Sequence, residues 1–131
     1  MKRFWIFPAL IFSLGAGAQG YPAKSVKLVV PFPAGSATDQ AARLVGQQLQ
    51  EELKQPFVVE NKPGAQGSIG ATEVAKAAPD GYTLLMTTNT PQAANVSLFK
   101  SLPYDPVKDF SPVARIGTTS FMNRCSVVDS G

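Results

Sequence analysis

Apolar and polar positions along the chain change period several times, and each change marks a boundary. "VKLVV", Val26–Val30, is short and β-branched, with turn formers on both sides, and predicts a mostly buried strand. In "TDQAARLVGQQLQEELKQ" the apolar residues Ala42, Val45, Leu49 and Leu53 recur at steps of three and four. They trace one face of a helix that stops before Pro56. Ser36 or Thr38 is placed to cap its start, and Asp39 puts a negative charge in its first turn. "FVVE", Phe57–Glu60, predicts a second strand, "SIGATEVAKAA" a short helix, and "TLLMTT", Thr83–Thr88, a third strand. "NTPQAANVSLF" predicts a further short helix, "LPYDPVKDFSP" an irregular segment, and "VARIG", Val113–Gly117, a fourth strand.

Strand, helix, strand, helix, strand is the βαβαβ alternation of an α/β fold with a parallel sheet, its crossovers right-handed. In open sheets of this kind ligands sit beyond the carboxyl ends of the strands. Three loops fall there: Pro31–Thr38, Asn61–Ser68 and Thr87–Pro91. The first two open helices, whose leading N–H groups form an anion site that needs no arginine. Gly35, Gly64 and Gly67 allow close backbone approach, and Ser36, Thr38, Ser68, Thr87, Thr88 and Asn89 offer side-chain hydrogen bonds. Plainer readings stand beside these. Glycine and proline also serve simple turns, Asp39 suits a helix start, and Thr87 and Thr88 suit a strand end. As a carboxylate, Asp39 would repel an anion directly, and would instead accept from a ligand hydroxyl or amine or hold a bridging water.

The first residues change the charge picture. Lys2 and Arg3 precede the apolar run Phe4–Leu14, and small residues follow at Ala16 and Ala18. This is the pattern of a secretory signal peptide over residues 1–18, since a membrane span needs about 20 apolar residues. The whole chain carries 12 Lys and Arg against 9 Asp and Glu; without Lys2 and Arg3 the balance is 10 against 9. The pI of about 9.2 therefore overstates the basicity of the mature chain. Its positive charges are scattered, which argues against a nucleic-acid surface. Removing the leader leaves 113 residues, enough for one modest core.

Composition also removes chemistry. Cys125 is the sole cysteine and histidine is absent. Metal sites built from Cys and His, and nucleophiles activated by histidine, are excluded. Gly64, Gly67 and Gly70 give G-x-x-G-x-x-G, which is neither the dinucleotide fingerprint nor a P-loop, and "AGSAT" is not a nucleophile elbow. Glu51 and Glu52 are neighbours on a helix and diverge; Arg43 and Lys62 read as surface or salt-bridge groups. No catalytic residue, metal or cofactor is expected.

In order along the chain, "VVPFPAG…TD", "VENKPGAQGSIG", "PDGYTLL" and "LPYDPVKDFSPV" closely resemble the Bug/TctC family of extracytoplasmic solute receptors of tripartite tricarboxylate transporters. The resemblance spans about Tyr21 to Met122. It implies a type II-like periplasmic binding protein, of which residues 19–122 are the first part of domain I. It further implies a small carboxylate as ligand, an integral membrane permease as partner, a periplasmic location and no enzymatic activity. Carried over by position, the ligand's carboxyl group is held by the first loop, with Phe32, Gly35, Ser36, Thr38 and Asp39, and by Gly64, Gly67 and Ser68 and then Thr87, Thr88 and Asn89. Two departures stand out. The family usually has Gly-Gly where this chain has Gly35-Ser36, and serine takes positive φ far less readily. Family members are also at least about twice as long, and "NRCSVVDSG", residues 123–131, diverges from their pattern. Impaired binding through truncation, or a frameshifted non-functional remnant, is therefore expected alongside the receptor reading. A small α/β enzyme is disfavoured for want of an elbow, a histidine or a paired acid and base.

Overall fold

A computed structural model describes residues 20–118. The expected signal peptide, the divergent tail and Cys125 lie outside the described residues. Within them the order is β1 (Val26–Val30), α1 (Ala37–Leu53), β2 (Phe57–Asn61), a 3₁₀ turn (Ala65–Gly67), α2 (Ser68–Ala75), β3 (Thr83–Leu85), a π turn (Thr90–Ala94) and α3 (Asn95–Leu98).

The strands form one parallel sheet in the order β2-β1-β3. Val26 stands opposite Phe57 and Val30 opposite Asn61, while Lys27 stands opposite Thr83 and Val29 opposite Leu85. β1 is therefore central, which is why its run is apolar almost throughout: Val26, Val29 and Val30 are fully buried. Alternation along β1 sends Leu28 and Val30 to one face, where they pack with Ala42 of α1 and with Phe32, Val59, Leu84 and Met86. Lys27 points to the other face and meets Glu73 of α2 at 3.4 Å. The two helices thus cover opposite faces. Lys27, Glu60, Lys62 and Glu73 close a square of alternating charges, with N–O separations from 3.2 to 3.8 Å, that ties α2 to β1 and to the end of β2.

Three expectations need correction. The buried face of α1 runs through Asp39, Ala42 and Gly46, while Leu53 is exposed. The helix lies close against the sheet at small residues, so Val45 and Leu49 flank the contact instead of centring it. β3 ends at Leu85, short of Thr88. Met86 N–H still donates to Val29 O, but the next residue opposite is Pro31, which has no N–H to donate. Val113–Gly117 forms no strand. Val113 is 82% exposed, and no edge among the described residues pairs with it.

Candidate functional site

All three predicted loops lie at the carboxyl end of the sheet. In the first, Gly35 has φ +82°, and Ser36 follows at φ −64°, ψ 160°. Serine here is an ordinary extended N-cap: its Oγ accepts from Asp39 N–H at 3.2 Å. The replacement of the expected second glycine therefore needs no positive φ. Among the described residues, the amides of Ala37 and Thr38, at the first two positions of α1, have no protein acceptor.

Asp39 turns inward. It is 2% exposed. Its Oδ2 accepts from Gly35 N–H at 2.8 Å and Arg43 Nε at 3.0 Å, and its Oδ1 accepts from Asn61 Nδ2 at 2.9 Å. The Arg43 hydrogen bond, then the Gly35 amide and the Asn61 amide, lower its pKa to about 2. Asn61 Nδ2 also donates to Phe32 O at 3.1 Å, and Arg43 Nη2 donates to Asn61 Oδ1 at 3.2 Å. The carboxylate is thus the internal brace of the loop, fixing the Gly35 backbone from behind. Asn61 and Arg43 were not among the expected site residues. The spacing of Asp39 and Arg43, one helical turn apart, was the available signal for the pair; Asn61 carried none, because its partners lie 22 and 29 residues away.

The second loop has positive φ over four consecutive residues: Gly64 at +125°, Ala65 at +46°, Gln66 at +54° and Gly67 at +84°. Gly67 N–H donates to Gly64 O at 2.9 Å. A Cβ at Gly67 would lie 2.6 Å from Pro91 Cγ and 3.4 Å from Pro31 Cβ. Gly67 is therefore the point where all three loops touch. Ser68 is buried, and its Oγ accepts from Asn95 Nδ2 at 3.0 Å, so this hydroxyl faces the interior. In the third loop Thr87 and Thr88 are half-buried and Asn89 is exposed, with Thr88 Oγ1 accepting from Thr90 N–H at 3.4 Å.

The three loops that carry Phe32, Gly35, Ser36, Thr38, Gly64, Gly67, Thr87, Thr88 and Asn89 thus lie at one end of the sheet and touch at Gly67, while Phe32 packs on the core and Asp39 and Ser68 turn their polar atoms inward. The corner is open. A hollow of about 350 Å³ lies instead on the flank of α2, between Ile69 and Thr72 on one side and Phe99 and Leu102 on the other. Its lining is apolar, and the amides of the α1 terminus do not reach it. Among the described residues no group of three or more His, Cys, Asp or Glu side chains is placed to hold a metal ion, and no helix is long and apolar enough to cross a membrane.

Residues 41–127 match the family described as tripartite tricarboxylate transporter family receptor. Protein BugT of Bordetella pertussis is 46% identical over 101 residues, covering 76% of this chain and 31% of that protein. MatC from Rhodopseudomonas palustris, solved with bound malate, is 46% identical, with a TM-score of 0.68 over 71% of this chain and 32% of that one. A second R. palustris protein, solved with adipate, is 42% identical, with a TM-score of 0.64 over 66% of this chain and 29% of that one. The chain spans about 30% of the length of these relatives. The matched family is one of transporter receptors and not of enzymes. The parallel sheet and the match over residues 41–127 agree, and the chain belongs to the tripartite tricarboxylate transporter receptor family.

Proposed function

We propose that the corner formed by Pro31–Thr38, Gly64–Ser68 and Thr87–Asn89 is one wall of a carboxylate-binding site in a periplasmic solute receptor. The observation that carries this reading is the start of α1. Two unpartnered amides, at Ala37 and Thr38, stand beside a glycine held at φ +82° by a buried, ionised Asp39. Such a terminus offers N–H donors and the positive end of the helix dipole to an anion. Ser36, Thr38, Thr87, Thr88 and Asn89 would add hydroxyl and amide contacts, and Gly35, Gly64 and Gly67 let a ligand approach the backbone. Asp39 acts by shaping the loop. The malate and adipate held by two relatives support a carboxylate as the ligand. Export through the leader at residues 1–18 and delivery to a membrane permease complete the reading.

The affinity of this chain follows from the openness of the corner. A micromolar complex requires about 8 kcal/mol. A helix terminus contributes about 0.3–1 kcal/mol, and up to about 2 when partly buried. Charge-assisted hydrogen bonds add about 1.5–3 kcal/mol each, less where water competes. One solvated wall therefore supports millimolar binding, and the chain alone is an impaired receptor. The test is a titration of the full chain with malate and with adipate, followed by amide chemical shifts. Shifts confined to Gly35–Asp39, Gly64–Ser68 and Thr87–Asn89, without saturation below about 100 μM, are expected from the affinity scale. Saturation in the micromolar range refutes the impairment, and shifts elsewhere refute the site.

A further inference from the structure

Asn95 is fully buried at the start of α3, outside every loop discussed above. Its Nδ2 donates to Gln66 O at 3.1 Å and to Ser68 Oγ at 3.0 Å, and lies 3.5 Å from Tyr104 Oη. Gln66 O can only accept, so the side-chain amide is fixed with its nitrogen toward the loop. Its Oδ1 is buried with no hydrogen-bond partner among the described residues. A core amide with its acceptor unmet is costly. What Asn95 supplies in return is the donor half, and that half is spent on the second loop.

That loop needs holding. Ala65 and Gln66 both carry a Cβ, and both sit in the left-handed region, where such residues rarely rest unless their surroundings over-determine them. Their side chains are exposed and anchor nothing. The bond from Gly67 N–H to Gly64 O closes the turn from within. Asn95 holds it from outside, at the carbonyl of one of the strained residues. Tyr104 supports the same point by donating its hydroxyl to Pro91 O, and Pro91 packs on Gly67.

We infer that Asn95 is a positioning residue: it clamps the Gly64–Gly67 turn in its left-handed form and so sets the edge of the carboxylate corner. The last clause rests on the proposed function; the clamp does not. The experiment is amide hydrogen exchange by NMR on the full chain, comparing Gly67 with Val29 and Val30 of β1. Asn95→Leu removes the donor. Gly67 exchange is expected to accelerate at least tenfold more than that of Val29 and Val30. Adding Gln66→Gly, which relieves the left-handed backbone of its Cβ, is expected to bring Gly67 back to within threefold of its original ratio to β1. Uniform acceleration of all three amides, or no recovery with Gln66→Gly, overturns the clamp. If Asn95→Leu does not fold, Asn95→Asp, which keeps the volume and exchanges the donor for an acceptor, carries the same comparison. Malate added to both proteins separates the two readings. A malate response at Gly35–Asp39 that weakens at least threefold in Asn95→Leu supports the edge role. A chain that never responds to malate refutes the site, while the exchange ratios still decide the clamp.

Discussion

Two helical glycines invite the same substitution and should answer it with opposite signs. Gly46 lies in the middle of α1, where an added Cβ would meet Phe57 Cβ at 3.5 Å and Leu28 Cδ2 at 4.0 Å, ordinary contact distances. Replacing glycine by alanine inside a helix gains about 0.8–1 kcal/mol. The new methyl enters a buried apolar setting without displacing anything, so Gly46→Ala should stabilise by about 1 kcal/mol. Gly70 lies in α2, and the same propensity gain applies. Its Cβ, however, would meet Pro31 Cβ at 3.0 Å, Lys62 O at 3.1 Å and Pro31 Cα at 3.1 Å. Two of the three are backbone-chain atoms at the ends of β1 and β2. They are locked together by the bond from Lys62 N–H to Val30 O at 2.8 Å, so they cannot give way as a flexible side chain would. Overpacking of this kind costs about 1–3 kcal/mol. Set against the helix gain, the net for Gly70→Ala is about 1 kcal/mol of lost stability. Urea unfolding of the full chain at neutral pH, followed by far-ultraviolet circular dichroism, measures both. In a domain of this size 1 kcal/mol moves the melting temperature by roughly 4–8 °C, so the two variants should lie on opposite sides of the parent. A stabilised Gly70→Ala would show that α2 can lift from the ends of β1 and β2, and would refute the reasoning.

Further outcomes follow from the corner. Gly67→Ala combines φ +84° with a 2.6 Å approach to Pro91, and should cost about 2–4 kcal/mol from left-handed strain and overpacking together, read by the same unfolding assay. The pKa of Asp39 is lowered to about 2, so its contribution is complete above the ordinary carboxylate value of 3.8 and is lost as pH falls toward 2. Asp39→Asn should therefore be less stable at pH 7 and flatter between about pH 4 and 2; an unchanged acid slope counts against the brace. A residual slope will remain, because the Tyr82 amide lowers the pKa of Asp80, and the Lys108 and Val107 amides lower that of Asp105. Arg43→Ala should raise the Asp39 pKa, as seen in its carboxyl carbon shift on acid titration, since the arginine hydrogen bond is the main cause of the depression.

Much of the fold was legible because the chain states it locally. The β-branched "VKLVV" run, the three-and-four spacing through Ala42 and Val45, and turn residues at each strand exit all follow from short-range patterns. The limits were equally physical. The buried face of α1 departs from the apolar pattern because the contact is made at a residue without a side chain: Gly46 adds nothing to the pattern, yet it is buried against Phe57. β3 is shorter than its pattern predicts because its end is set by Pro31, just past β1. The left-handed stretch at Ala65 and Gln66 carries no glycine of its own and depends on Asn95, 29 residues later for Gln66. In the corner, the positive φ of Gly35, Gly64 and Gly67 is readable from residue type. The inward turns of Ser68 and Asp39 are not, because they depend on Asn95 and Asn61, which arrive from other elements.

The central strand has a consequence for how the chain must assemble. β1 pairs only with segments far ahead of it, Val26 with Phe57 and Lys27 with Thr83. Among the described residues no hairpin shelters it. The first of the described strands to be made is thus the one most fully enclosed at the end, and its apolar run lacks a described sheet partner until some thirty further residues have emerged. Such distant closures are slow, whereas α1 can coil from local contacts alone. In a nascent chain β1 lacks its β2 partner for as long as Phe57 is withheld.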